Sequence, residues 1–151
     1  MLLRTHVMFA IFMILLFVSH VSDKFIFMIM VLVATVIPDL DSGFSSYGRH
    51  LIFRPLQFFV KHRGIIHSFT TAVVLSAFIA IWFPVASFGF FVGYCSHLLV
   101  DSFTISGVQP FWPLHWKSNG PLHSGGRIEE VLFFVFIVVN VLLFFTMLFI
   151  G

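Results

Sequence analysis

The sequence predicts an all-α polytopic membrane protein of about five transmembrane helices, with a metal site at one set of helix ends. Three observations carry this expectation. Of the 151 residues, 60% are hydrophobic and only 9% charged, with 23 phenylalanines. A soluble fold of this size neither needs so much apolar surface nor covers itself with so little charge. The apolar residues fall into five runs separated by polar segments, and the basic residues sort to one side of those runs. The chain has room for one domain, taken as residues 1–151.

Leu2 to Val21 is the first expected span, with Arg4 and His6 at its start. About 20 residues cross the ~30 Å hydrocarbon core. No small-residue cleavage site follows, so the run is read as an uncleaved span and not a removable leader. Ser22-Asp23-Lys24 turns the chain. Phe25 to Ile37 is the second expected span, short enough to require tilt or a protein-lined path, and Pro38 ends it. From Gly43 to Arg63, basic residues alternate with Leu, Ile and Phe, as in a segment lying along a membrane surface. Gly64 to Phe83 is the third expected span, closed by Pro84, and Val85 to Val100 is the fourth. A loop from Ser102 to Arg127 carries Trp112 and Trp116, suited to the interfacial aromatic belt, and Ile128 to Ile150 is the fifth. The single cysteine, Cys95, excludes an internal disulfide and a C-x-x-C zinc site.

On this scheme Arg4, Arg49, Arg54, Lys61, Arg63, Lys117 and Arg127 share one side and Lys24 holds the other. Such asymmetry predicts that the first side is cytoplasmic in an inner-membrane protein, with the C-terminus outside. The potential metal ligands sort the same way. His6, Asp39, Asp41, His62, His67, His97, Asp101 and Glu129 all fall at the cytoplasmic ends. His97 and Asp101 are four residues apart and share a helix face. Ionisable groups beside apolar spans are costly and normally mark a functional site.

Imidazoles and carboxylates gathered at one depth suit divalent cations: zinc first, with manganese or magnesium also served by the carboxylates. So many donors exceed the needs of one tetrahedral ion, so two or three ions are expected, bridged by Asp39 or Asp101. Paired ions are the usual arrangement for phosphoester hydrolysis by a metal-activated water. Plainer readings exist for individual residues. His20, His50, His115 and His123 are most simply interfacial, Asp41 a turn carboxylate, and Glu129 with Glu130 a complement to a helix N-terminus. His97 and Asp101 taken alone would serve as a packing pair.

Four motifs occur in series: Pro38-Asp39-Leu40-Asp41, His62-Arg63-Gly64-Ile65-Ile66-His67-Ser68, Gly93-Tyr94-Cys95-Ser96-His97-Leu98-Leu99-Val100-Asp101 and Thr104-Ile105-Ser106-Gly107-Val108. With Trp112-Pro113 and a glutamate opening the last span, the chain resembles the YdjM-like (LexA-regulated) family of membrane-bound metal-dependent hydrolases. The resemblance covers nearly the whole sequence. It implies a helical membrane hydrolase with His6, Asp39, His62, His67, His97 and Asp101 on the metal-binding positions. The His-x-x-x-Asp step is also similar, more distantly, to zinc-dependent phospholipases C and related nucleases, which bind three zinc ions.

The expected substrate is therefore a phosphoester, in particular a membrane lipid headgroup reaching the site laterally. Arg63 would hold the phosphate, since guanidinium matches its geometry, and Asp41 or Glu129 would serve as general base. Nucleic acid fits poorly, because the chain has few lysines and no basic domain. A transporter or sensor is the alternative, although transporters gather ligands near the bilayer midplane; a purely structural membrane protein is another. The sequence does not specify an oligomeric state.

Overall fold

The computed structural model describes residues 1–41 and 65–150, with the side chains of Leu40, Asp41 and Ile150 excepted. The expected surface segment Gly43–Arg63, including His62 and Arg63, lies outside the described residues, as does the side chain of Asp41. The described part is all-α. Helix α1 is Leu3–Phe17, extended by a 3-10 turn at Val18–His20. Helix α2 is Lys24–Val36, followed by a 3-10 turn at Ile37–Asp41. Helices α3, α4 and α5 are Phe69–Trp82, Pro84–Ser102 and Arg127–Ile150. Two isolated bridges, Thr104 with Leu122 and Val108 with Ser118, fold the loop before α5 without forming a sheet.

The expectation of about five membrane spans is corrected by the helix lengths. Among the described residues three helices are long and apolar enough to cross: Leu3–His20, Pro84–Ser102 and Arg127–Phe149, with mean hydropathies of 1.7, 1.2 and 2.9. Helices α2 and α3 have 13 and 14 residues, ~20 Å at 1.5 Å per residue, well short of the ~30 Å core. Local chemistry sets those lengths. The Asp23 carboxylate accepts from Ile26 N–H at 3.0 Å and starts α2, while Pro38 interrupts the α-helical ladder at the other end. Ser68 Oγ accepts from Thr71 N–H at 3.1 Å and starts α3 four residues after the apolar run begins. Pro84 then opens α4 and forces the residue before it out of helix.

Helices α1, α3 and α5 run away from one end of the bundle, and α2 and α4 run towards it. The closest packing joins α2 to α4. A Cβ on Gly93 would lie 2.2 Å from the Val31 carbonyl oxygen, and one on Gly89 2.9 Å from that of Phe27. Two glycines four apart therefore let the backbones touch, the small-residue contact common between helices in membranes. Around it, Ala10, Ile14, Phe27, Val31 and Val92 form one core cluster, and Ala34, Ala72, Phe90, Tyr94 and Leu98 another. Helix α5 packs on α1, where Asn140 Nδ2 donates to the Met8 carbonyl at 2.9 Å.

Candidate metal centre

The end of the bundle where α2 and α4 finish and α1 starts collects five donor side chains. His6 lies in the first turns of α1, Asp39 in the 3-10 turn after α2, and His67 in the turn before α3. His97 and Asp101 lie one helical turn apart near the end of α4. His6, His67, His97 and Asp101 are buried and Asp39 is partly so. His6 Nε2 is 3.3 Å from Asp101 Oδ1, and His67 Nε2 is 4.0 Å from Asp101 Oδ2. His97 Nε2 is 3.9 Å from Asp101 Oδ2 and 3.8 Å from Asp39 Oδ1.

The three separations of 3.8–4.0 Å are too long for hydrogen bonds and the 3.3 Å one is a long one, yet all are short enough for a shared cation. Two atoms each ~2.1 Å from one zinc ion lie at most ~4.2 Å apart. Two sets of three donors lie within 4.8 Å of one another, close to that limit: His6–His97–Asp101 and Asp39–His67–His97. Nδ1 of His6 and Nε2 of His97, both buried, make no hydrogen bond, although buried polar atoms normally do. A cation held by the cluster would supply what they lack. Burial raises the Asp39 carboxyl above its usual range, opposed by His6 and reinforced by the Asp101 carboxylate, and a divalent ion beside it would reverse that tendency.

Each donor is aimed by its own surroundings. His97 Nδ1 is 2.8 Å from the Thr35 carbonyl oxygen; a carbonyl only accepts, so Nδ1 carries the proton and Nε2 faces the cluster. The glycine contact between α2 and α4 makes this approach possible, and Thr35 Oγ1 strengthens it by donating to the Val31 and Gly93 carbonyls at 2.8 and 3.1 Å. The turn bearing His67 is tied down by the Tyr94 hydroxyl, which donates to the Ile66 carbonyl at 2.5 Å, and by Phe69 N–H donating to Pro110 at 2.8 Å. Asp101 also pairs with the Met1 amino group.

Of the residues singled out in the sequence, the structure brings together His6, Asp39, His67, His97 and Asp101. Glu129 is buried beside them but accepts hydrogen bonds from Leu2, Thr5 and Gly125. His62, Arg63 and the Asp41 side chain lie outside the described residues. The sequence pattern does not single out Thr35 or Thr5, and shows Tyr94 only as part of the Gly93–Asp101 motif. The Gly89-x-x-x-Gly93 spacing was the available signal for the α2–α4 contact, whereas a backbone acceptor such as Thr35 leaves none. A cavity of about 610 Å³, lined by Phe88, Phe91, Cys95, Leu99 and Trp116, contains none of the five donors. Cys95 and Leu99 project from the side of α4 away from His97 and Asp101.

The sequence pattern of a family described as YdjM inner membrane protein matches residues 1–150. Inner membrane protein YdjM of Escherichia coli K12 is 30% identical over 109 residues, which make up 64% of this chain and 56% of that protein. The protein of the same name from Shigella flexneri has the same identity and coverage. The chain thus covers little more than half the length of these two relatives. The uncharacterized protein YvsG of Bacillus subtilis 168 is 26% identical over 124 residues, covering 79% of this chain and 78% of that one. No solved structure matches.

Proposed function

The chain belongs to the YdjM family of inner-membrane proteins, and we propose that it is a membrane-bound metal-dependent hydrolase cleaving a phosphoester of the lipid-headgroup type. The observation that carries this reading is the buried convergence of three imidazoles and two carboxylates from four separate segments. Two carboxylates balance the charge of one divalent ion and half that of a pair, and the nitrogen donors favour zinc over magnesium, with manganese a second choice. When bound, such a metal supplies a water activated near neutral pH and positive charge for the phosphoryl oxygens. The distant likeness to zinc-dependent phospholipases C points to the same reaction class.

Two ions suit the donor arrangement better than one. The His6 and His97 rings are stacked, with centroids 4.0 Å apart and planes inclined by 6°. A ring nitrogen offers its lone pair in the ring plane, so stacked rings favour separate ions over the single ion that the His6–His97–Asp101 spacing would also admit. Ions serving separate rings at that spacing would match the ~3.5–4 Å of two-metal hydrolases. Asp101 would help to hold both ions, since its Oδ1 faces His6 and its Oδ2 faces His67 and His97. His62 is assigned here as a further ligand, Arg63 as the phosphate-binding group and Asp41 as the proton acceptor, on the strength of the motifs. The site end is assigned to the cytoplasm from its basic residues.

Metal content of detergent-purified protein, measured by elemental mass spectrometry beside Asp101→Ala and His67→Ala, tests the reading. The expected result is two zinc or manganese ions per chain, reduced in both variants, with metal-dependent release of phosphate or headgroup from phospholipid vesicles. Metal-replete wild-type protein that holds no ion would overturn it.

A further inference from the structure

We infer that Glu129 is a positioning residue of the metal centre: it grips the first turn of α1 and so holds His6 in register, an inference that rests on the metal-centre reading above. Glu129 is 1% exposed, and its two carboxylate oxygens serve different elements. Oε2 accepts from Gly125 N–H at 2.5 Å, a local reach-back over the start of α5 that resembles half of a capping box. Oε1 crosses to α1, accepting from Leu2 N–H at 2.6 Å and from the Thr5 hydroxyl at 2.8 Å.

The crossing half is what reaches the metal centre. Leu2 is the N-cap of α1, yet it offers no side-chain cap, and the first turn contains no acidic residue. A helix start leaves several N–H groups without partners and favours a nearby negative charge. Glu129 supplies both needs from another helix. The turn it grips is closed by the Leu2 carbonyl, which accepts from Thr5 N–H at 3.0 Å and His6 N–H at 3.4 Å. One carboxylate oxygen therefore fixes the two residues that bracket the turn, and His6 follows directly. With three of its ~four acceptor positions occupied, Glu129 is better placed to orient a ligand than to accept a proton from water.

Zinc affinity measured by chelator competition on the detergent-purified protein tests this, using Glu129→Ala, His6→Ala and the double variant. Glu129→Ala is expected to weaken zinc binding about tenfold or more, as losses of outer-shell partners do. In the His6→Ala background the same substitution should have no further effect, because a residue acting through His6 has nothing left to position. Glu129→Gln keeps an acceptor for Leu2 and Thr5 and should restore much of the affinity. Unchanged affinity in Glu129→Ala, or an equal loss with and without His6, would overturn the inference. Lowered turnover at full zinc affinity would likewise overturn it in favour of a base. Should Glu129→Ala fail to fold, Thr5→Val decides: a several-fold loss of affinity supports the grip and an unchanged affinity overturns it. Wild-type protein without zinc would instead overturn the metal-centre reading itself, so the two failures are distinguishable.

Discussion

His6 and His97 lie face to face, and that arrangement separates the consequences of losing each donor. On the two-ion reading, His6→Ala should retain one ion per chain, because Asp39, His67, His97 and Asp101 still surround the other. Asp101→Asn should lose both, or weaken them by about a hundredfold, since the carboxylate faces all three imidazoles and its outer-shell equivalents alone are worth 10–100-fold. Elemental mass spectrometry gives the count. Manganese-loaded protein adds a second readout: the spin-coupled spectrum of paired ions in the wild type should revert to that of an isolated ion in His6→Ala. An isolated-ion spectrum in fully loaded wild type would refute the pair. At this scale the sequence was informative, because ionisable residues in so apolar a chain are few and each stands out. What it could not convey was orientation. Which nitrogen of His97 faces the cluster depends on a backbone carbonyl at Thr35, and every residue type has one of those.

The α2–α4 contact is where element packing meets the chemistry. Gly93→Ala would drive a methyl group to 2.2 Å from the Val31 carbonyl, and neither backbone can yield without separating the helices. The expected cost is about 1–3 kcal/mol, read as a lower melting temperature in detergent. Zinc affinity should fall with it, as the Thr35 carbonyl withdraws from His97 Nδ1. A Gly93→Ala protein with wild-type melting and wild-type zinc affinity would show that the contact is looser than described. The elements themselves were only partly legible in the sequence. Apolar runs located all five helices among the described residues, but run length overstated helix length in α3, because Ile65 and Ile66 are as apolar as the helix and yet belong to the turn that Ser68 terminates. Composition registers hydrophobicity, whereas a cap is a matter of one side chain and one N–H group.

At the scale of the whole molecule, α1 and α5 start at the metal-centre end and α4 finishes there, so three crossings leave the start of α1 and the end of α5 on opposite faces. A reporter fused after Gly151 should therefore be active if it requires the outer face and silent if it requires the cytoplasm; the reverse would invert the assignment of the metal centre. Removal of metal should also be felt globally. A ligand present at a hundred times its dissociation constant stabilises the folded state by about 2.7 kcal/mol, so chelation should lower the melting temperature of the wild type and leave Asp101→Asn unmoved. The five donors come from residues 6, 39, 67, 97 and 101, and that distribution has a bearing on biogenesis. During synthesis a nascent chain that has not yet reached α4 owns only three of them, and no pair among those three shares a helix. On the metal-centre reading both donor sets need His97, so metal capture is expected to follow insertion of α4, and a chain cut short before it should emerge without its ions. Metal retention would thus report, in a living cell, that the bundle has been assembled through α4.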